Sequence, residues 1–268
     1  MTRRPVHIFG VPSDSNSSFL RGAAKAPASI RAALGSSHGN AAAENGLEIG
    51  REIALVDLGD ISISENEADD ARIAETVCRI TEEKCLPLAI GGDHWITAPI
   101  VMALAEIHGP MSILHIDAHP DLYDDMDGNP RSHASPFARI LERGAAKNLV
   151  QVGVRTVNAL QRKQAARFGV VHQISARQLG QGPYPVLAGP LYVSIDMDGF
   201  DPSVAPGVSH HEPGGLTVRE VLDLLDRQSA WLAGADIVEL NPDRDLNDVT
   251  ATLGAKLVRE IAAMFGAA

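Results

Sequence analysis

The sequence contains few cysteines: Cys78 and Cys85 are the only two among 268 residues. Both lie in or beside a segment that is predicted to be a helix followed by a buried strand. This position favours a reduced structural role over a disulfide or a metal site. The first residues run directly into the apolar segment 6–9 and show neither a signal-peptide nor a transit-peptide pattern. We therefore predict a cytoplasmic protein.

Long apolar runs and basic residues are also scarce. No run of about 18 apolar residues occurs, so no segment is expected to span a membrane. The 34 acidic residues outnumber the 23 basic ones, for a formal net charge of -11. This excess argues against nucleic acid or an anionic membrane as a partner, and it is compatible with a small cationic substrate.

Apolar residues are plentiful, and their spacing changes along the chain. Short apolar runs at 86–90, 111–116 and 191–195 are typical of buried strands, whereas helical spacing recurs between them, for example over 68–83. Strands that alternate with helices imply a parallel sheet with helices on both faces. We predict one domain over residues 1–268, with an α/β fold in which a three-layer α/β/α sandwich surrounds a mostly parallel sheet.

Charged and imidazole side chains stand where four of the predicted strands end. In an open parallel sheet, ligands bind beyond the carboxyl ends of the strands, at a point where the strand order reverses. We therefore expect these four ends to define one crevice. The side chains are Asp93 and His94 after the run 86–90, Asp117, His119 and Asp121 after 111–116, Asp196 and Asp198 after 191–195, and Glu239 in the run 235–240.

Four of the five aspartates, Asp117, Asp121, Asp196 and Asp198, would repel one another if they gathered in this crevice. At about 4 Å and an effective dielectric constant near 20, each pair costs roughly 4 kcal/mol. Divalent cations would offset that repulsion. The aspartates and two histidines form a ligand set without thiolate, which suits Mn or Mg better than Zn or Cu, although imidazole keeps Zn, Co and Ni open. Two ions about 3.5 to 4 Å apart lower the pKa of a shared water, so hydrolysis is the expected reaction class.

A calcium-binding loop and ordinary structural roles are the simpler interpretations of some of these residues. A calcium-binding EF-hand loop beginning at Asp196 is disfavoured, because its glycine is in the fourth position where the sixth is needed, and Gly207 replaces the bidentate glutamate. His115 is expected to be a core residue or to lie beside a ligand. The remaining histidines without convergent partners are expected to be ordinary core or surface residues; they are His7, His38, His108 and His172.

The motifs at 91–94, 117–121, 194–202 and 239–242 resemble the signature blocks of the ureohydrolase family, the arginases and agmatinases. The resemblance runs nearly end to end. Segments 129–137 and 205–216 are most similar to the plant-type arginase branch. The resemblance implies an arginase-like fold, two Mn²⁺ ions per subunit and a homotrimer or homohexamer. It assigns one ion to His94, Asp117, Asp121 and Asp196, and the other to His119, Asp117, Asp196 and Asp198.

The resemblance also implies roles for residues beside the ions. A hydroxide between the ions attacks the guanidinium carbon, and Asp121 holds it by a hydrogen bond. His133 matches the family's proton-shuttle histidine, whose near-neutral pKa suits transfer to the leaving amine. Glu239 matches the carboxylate that pairs with the planar substrate guanidinium.

The loop 122–132 is expected to read the other end of the substrate. Asn129 and Ser132 are candidate readers of a carboxylate, which favours L-arginine. Acidic residues such as Asp124 favour agmatine, the alternative substrate, and guanidinobutyrate is a third. A phosphatase would need a cationic cradle that these motifs lack. A non-catalytic relative would be expected to have lost ligands, and all six are present.

Overall fold

The computed structural model describes residues 4–37, 39–179 and 181–264; predictions that concern His38 or Phe265 lie outside these ranges. Within them, eight strands form one parallel sheet in the order β2-β1-β3-β8-β7-β4-β5-β6. The strands are β1 Val6–Val11, β2 Leu55–Asp60, β3 Leu86–Gly91, β4 Met111–Ile116, β5 Ala146–Val152, β6 Val171–Ile174, β7 Leu191–Asp196 and β8 Leu232–Val238. The helices are α1 Ala26–Leu34, α2 Ala68–Glu82, α3 Thr97–His108, α4 Pro136–Glu142, α5 Ala159–Phe168, α6 Ala176–Leu179, α7 Val218–Asp226 and α8 Val249–Met264.

Helices cover both faces of the sheet, which confirms the predicted three layers. Side chains alternate across a strand. In β3, Leu88 and Ile90 face one core, which also contains residues of α1, α7 and α8. Ala89 faces a second core, built with α2, α3 and α4. β3, β4, β7 and β8 are buried along their whole length, and their sequences are mostly apolar, as expected for parallel strands that are covered on both faces.

The strand order brings the predicted site together. From β4 the chain moves outward to β5 and β6, and it returns to place β7 on the other side of β4. β8 then lies between β7 and β3. The four strands whose ends carry the candidate residues are therefore consecutive, and the order reverses between β4 and β7. This is the position where ligands bind in open parallel sheets.

Several predicted boundaries are corrected by two or three residues. The apolar segment 53–58 predicts the second strand, but β2 begins at Leu55, because Ile53 makes only an isolated bridge with Ile49. β5 begins at Ala146 and β8 at Leu232, whereas the apolar runs predict starts at 149 and 235. The added residues include alanine, glycine, lysine and asparagine, and pairing with neighbouring strands overrides their low strand propensity. The four-residue helix α6 was not predicted. In the described ranges, no helix is long and apolar enough to cross a membrane.

Candidate functional site

The six residues predicted as metal ligands meet at the carboxyl ends of β3, β4 and β7. They form two overlapping groups of potential ligand atoms, in each of which the atoms lie within 4.8 Å of one another. The first group is His94, Asp117, Asp121 and Asp196, and the second is Asp117, His119 and Asp198.

The first group surrounds the Nδ1 atom of His94. This atom lies 2.9 Å from Asp121 Oδ2, 3.2 Å from Asp196 Oδ2 and 3.3 Å from Asp117 Oδ2. None of the three contacts has hydrogen-bond geometry, and among the described residues the buried Nδ1 has no hydrogen-bond partner. A buried imidazole nitrogen that faces three carboxylate oxygens is the donor set expected around a divalent cation.

The second group surrounds the Nδ1 atom of His119. It lies 3.1 Å from Asp198 Oδ2 and 3.4 Å from Asp117 Oδ1. Asp117 therefore faces His94 with one oxygen and His119 with the other, which is the arrangement of a carboxylate that bridges two ions. Asp196, the other predicted bridge, belongs to the first group alone.

Charge repulsion within the cluster is strong. Burial, with Asp198 and Asp117 close by, raises the pKa of Asp196 well above its usual range. Burial also raises the pKa of Asp198 to about 6, although His119 acts in the opposite direction. The buried aspartates thus resist being ionised together. Bound divalent cations would remove this conflict, so the donor types and the electrostatics both fit a metal site.

A buried network orients His94. Asp236 accepts hydrogen bonds from Ser194 Oγ at 2.6 Å, Tyr192 Oη at 2.6 Å and Thr97 Oγ1 at 2.7 Å. Ser194 has a single hydroxyl proton, which it donates to Asp236. Its oxygen therefore accepts from Nε2 of His94 at 3.0 Å. This bond keeps a proton on Nε2, so Nδ1 of the neutral ring is unprotonated and faces the aspartates.

Ser194→Ala is expected to weaken metal binding by about 10- to 100-fold, because it removes the partner that orients His94. Metal titration of the purified variant measures the effect. Tyr192→Phe is the matched control: it removes a different hydroxyl from Asp236 without touching His94. It should lower stability while metal affinity stays near that of the wild type, and equal losses in both variants would contradict the argument.

A second buried pair supports Asp117 and the turn after it. His115 donates from Nε2 to Asp117 Oδ2 at 2.7 Å, and its Nδ1 accepts from Gln151 Nε2 at 2.9 Å. The same amide donates to the carbonyl of Pro120 at 2.6 Å. His115 thus lies beside a ligand, as predicted.

The backbone is strained at two candidate catalytic residues. Asp121 and Glu239 have φ angles of 48° and 63°, a region that non-glycine residues rarely adopt. Close packing also fixes Gly92, because a Cβ atom there would lie 1.7 Å from the carbonyl oxygen of Ser13. Only glycine fits at this position, which explains the paired glycines before Asp93.

His133 and Glu239 form a buried pair next to the cluster. His133 Nδ1 lies 2.9 Å from Glu239 Oε1, which also accepts the backbone N–H of His94 at 2.8 Å. Burial lowers the pKa of His133, but Glu239, with smaller effects from Asp121 and Asp93, raises this pKa to about 9. The backbone N–H of Ser18, 3.1 Å from Nε2, suits an unprotonated Nε2 and opposes that effect. Opposing influences on one buried ring suit a group that both gains and loses a proton.

A cavity of about 160 Å³ lies over the cluster. Its inner end is formed by Asp121, Asp196, Asp198 and Glu239. Its outer wall carries neutral polar groups instead, from Ser18, Tyr123, Thr156 and Asn158. Asn158 donates a hydrogen bond from Nδ2 to the Tyr123 hydroxyl. The ring of His210, also in the wall, lies 5.2 Å from that of His133.

The three residues predicted to read the substrate tail do not line this cavity. Asp124 is exposed and pairs with Arg139 at 2.8 Å. Asn129 bonds to Asn16 and to the backbone of Arg131. Ser132 is buried and accepts the N–H of Ala134. Their positions give the predicted role no support.

Several cavity-lining residues were not predicted from the sequence: Ser18 follows β1, Tyr123 follows β4, and Thr156 and Asn158 follow β5. Thr156 and Asn158 line the cavity, and Arg155 donates to the carbonyl oxygens of Asp198 at 2.7 Å and Glu212 at 2.6 Å. Arg155 therefore fastens the loop that carries Asp198. The sequence signal for Thr156 and Asn158 is their position after the end of β5, the same kind of position that the candidate metal ligands have after β3, β4 and β7.

Comparison with known proteins agrees with this geometry. The family model of the arginase family matches residues 4–264. The mitochondrial arginase 1 of Arabidopsis thaliana is 47% identical over 277 residues, covering 96% of this chain and 80% of that protein. The solved arginase from Medicago truncatula has a TM-score of 0.93 and 42% identity, covering 97% of this chain and 87% of that chain. The mitochondrial agmatinase of Gallus gallus is more distant, at 33% identity over 95% of this chain and 79% of that protein.

The predicted cytoplasmic location is wrong, because the comparison with similar arginases contradicts it. Similar plant arginases are named mitochondrial, or chloroplastic and mitochondrial. Both cysteines are free thiols. The family match, the sheet and the His/Asp cluster agree, and the chain belongs to the arginase family of metal-dependent amidinohydrolases.

Proposed function

We propose that this chain hydrolyses the guanidinium group of L-arginine to give L-ornithine and urea, with two Mn²⁺ ions held by the His/Asp cluster. The observation that carries the proposal is the contrast between the two ends of the cavity. Buried carboxylates form the inner end, and neutral hydrogen-bonding groups form the outer wall. A cationic head and an anionic tail fit that contrast.

The inner end suits a guanidinium group. Glu239 is 4% exposed, and its Oε1 atom already holds His133 in place. A planar guanidinium offers paired N–H donors to a carboxylate. Binding there would set the central carbon over the aspartates.

The proposed chemistry is hydrolysis of the bond between that carbon and the chain nitrogen. Two bound divalent ions supply a water of lowered pKa, which is a nucleophile at neutral pH. Asp121, at the cavity surface and in the His94 group, accepts a proton from this nucleophile and aligns it. The proton held by Asp121 passes to the leaving nitrogen as the C–N bond breaks, and His133 donates the second proton that makes this nitrogen an ammonium. Urea and ornithine are then released.

The outer wall favours arginine over agmatine. Agmatine ends in an ammonium group, which would need a negatively charged hydrogen-bond acceptor such as a carboxylate. The acidic residues of the loop 122–132 do not face the cavity: Asp124 pairs with Arg139, and Asp125 caps the backbone of Gly128. Hydroxyl and amide donors from Tyr123, Thr156 and Asn158 suit the carboxylate of an amino acid.

Manganese is the proposed metal because the ligands are carboxylate oxygens and imidazole nitrogens without a thiolate. We also propose that the chain forms one domain and assembles as a homotrimer or homohexamer, as its resemblance to ureohydrolases implies. Light scattering on the purified protein tests the assembly.

The direct test is urea release by manganese-reconstituted protein from L-arginine and agmatine in parallel, with a chelated control. We expect kcat/KM for arginine to exceed that for agmatine by about 100-fold or more, because donors built for a carboxylate are left unpaired by agmatine. Equal or greater activity on agmatine would contradict the proposed substrate, and urea release that survives chelation would contradict the metal.

A variant of the wall sharpens the test. Tyr123→Phe removes one donor to the carboxylate and should lower kcat/KM for arginine about tenfold, with little change for agmatine. Tyr184→Phe is the control, because Tyr184 packs against Arg227 and does not line the cavity. Equal losses on both substrates would remove Tyr123 from tail recognition.

A further inference from the structure

A second group of side chains that could bind a metal lies at the amino-terminal ends of the strands, on the side of the sheet opposite to the His/Asp cluster. His7 is at the amino-terminal end of β1, Glu83 follows α2, and Cys85 immediately precedes β3. One ligand atom from each lies within 4.8 Å of the other two. The catalytic cluster occupies the carboxyl ends of the strands, so the two sites are separated by the length of the sheet.

The imidazole of His7 is incompletely bonded. Its Nδ1 atom is buried and has no hydrogen-bond partner in the part of the chain that the structure describes. The nearest acidic atom is Glu83 Oε2 at 3.7 Å, which is too far for a hydrogen bond. A buried nitrogen without a partner needs an explanation, and a bound metal ion is one of the recognised explanations.

Cys85 supplies a thiol on the same side. It is 6% exposed, and its Sγ atom makes one weak contact, to the carbonyl oxygen of Glu83 at 3.6 Å. Burial and the Glu83 carboxylate raise the pKa of this thiol, against a smaller lowering by Arg4. The thiol is therefore protonated at neutral pH until something displaces its proton.

Strand pairing fixes the distance between the imidazole and the thiol. β1 and β3 are adjacent, with His7 opposite Pro87, and the N–H of Leu86 bonds to the carbonyl oxygen of Pro5 at 2.9 Å. Glu83 is less constrained, because its side chain is 48% exposed. Two ligands are thus held by the sheet, and a third can adjust from the solvent side.

We propose that His7, Glu83 and Cys85 bind one Zn²⁺ ion, with a solvent water as the fourth ligand. Thiolate, imidazole and carboxylate are the ligands that zinc takes in proteins, at about 2.0 to 2.3 Å. A tetrahedron of that size sets its ligands about 3.3 to 3.8 Å apart, and the His7–Glu83 distance of 3.7 Å falls in this range. Binding releases the thiol proton to solvent.

The thiolate distinguishes this site from the catalytic cluster, which contains none. Zinc there would fasten the end of α2 to β1 and β3. A metal-ligand role for Cys85 departs from the sequence prediction, which favoured a structural role over a metal site. The site is independent of the proposed hydrolase activity, because it contacts none of the residues that line the cavity.

The test uses Co²⁺ as a spectroscopic substitute for Zn²⁺, added to protein whose catalytic cluster is already loaded with Mn²⁺. We expect a thiolate-to-cobalt charge-transfer absorption that saturates at one ion per chain and disappears when zinc is added. Cobalt in the catalytic cluster gives no such absorption, because that cluster has no sulfur ligand. Cys85→Ser should abolish the band. Cys78→Ser, which alters the other cysteine of the chain and lies on α2, should keep it.

His7→Gln keeps the thiol and removes the imidazole. We expect it to weaken zinc binding by more than the roughly 10- to 100-fold that loss of an outer partner costs at a metal site. Urea release should be unchanged in all three variants, which also shows that they fold. The proposal is overturned if the wild type gives no charge-transfer band, if the band survives Cys85→Ser, or if His7→Gln binds zinc as tightly as the wild type.

Discussion

Asp121→Asn is expected to leave the protein folded and to lower kcat for urea release by about 100- to 10,000-fold. The amide has nearly the same shape as the carboxylate, so packing around residue 121 is preserved. It loses the negative charge that faces Nδ1 of His94 at 2.9 Å, and it loses one acceptor oxygen. Neither proton acceptance nor alignment of the nucleophile survives. Steady-state kinetics with measured metal content separates a loss of chemistry from a loss of ions.

The matched control is Asp124→Asn, which makes the same chemical change three residues later. Asp124 is exposed and does not line the cavity, so its variant should keep activity within about twofold, as expected for a surface substitution. If Asp121→Asn also kept its activity within a few-fold, the mechanism proposed here would be wrong.

Glu239→Gln should lower kcat/KM by about 30- to 5,000-fold, which corresponds to the 2 to 5 kcal/mol lost when one member of a buried charge pair is removed. The carboxylate has two tasks: it pairs with the incoming guanidinium, and it holds His133 through a 2.9 Å hydrogen bond. The amide performs neither well. Kinetics with arginine and with free guanidinium as a competitor separates weaker binding from slower chemistry.

The same variant should change the pH dependence in a defined direction. Burial lowers the pKa of His133, and Glu239 raises it to about 9 in the folded protein, above the ordinary value of 6.5. The protonated pair therefore stabilises the fold fully below pH 6.5 and loses this contribution as the pH rises through about 9. Without the Glu239 carboxylate, burial is opposed only by the smaller effects of Asp121 and Asp93, so the alkaline limb of the kcat/KM profile should move to lower pH. An unchanged limb would assign it to another group.

His133→Asn provides the control for coupling between the two residues. It should lower the rate mainly near neutral pH, where the imidazole transfers the proton. Because His133 and Glu239 act as a pair, the double variant should lose less than the sum of the two single losses. Strict additivity would mean that the two residues act separately.

The fold was predictable because the chain repeats one simple pattern. Each apolar run is followed by a helix with apolar residues at helical spacing, and this alternation dictates parallel strands. The meeting of the candidate ligands was predictable for a related reason: His94, Asp117 and Asp196 each stand at or just after the end of such a run. The carboxyl ends of parallel strands lie on the same side of the sheet, so residues at those ends are close in space although they are far apart in the sequence.

The substrate end of the cavity was not predictable in the same way. Asp124 and Asn129 are in a loop, and the direction of a loop side chain depends on contacts that spacing does not encode. The partner of Asp124 is Arg139, on α4. The network behind His94 was missed because Ser194 and Asp236 lie inside strands, where a polar residue has no distinctive sequence signal. The strand order made them neighbours, with Ser194 paired to Asp236 across β7 and β8.

The position of β8 has a consequence for how this molecule is made. β8 is the last strand in the chain, yet it lies in the middle of the sheet, between β3 and β7. Until the chain is synthesised to about residue 240, the earlier strands can form only two half-sheets, β2-β1-β3 and β7-β4-β5-β6. His94 belongs to one half, and Asp117, Asp121 and Asp196 belong to the other. The candidate metal ligands therefore come from two half-sheets that are joined only when β8 pairs with β3 and β7. A nascent chain without β8 has no complete site. Once β8 has paired, an ion bound by both sets of ligands would help to hold the two half-sheets together.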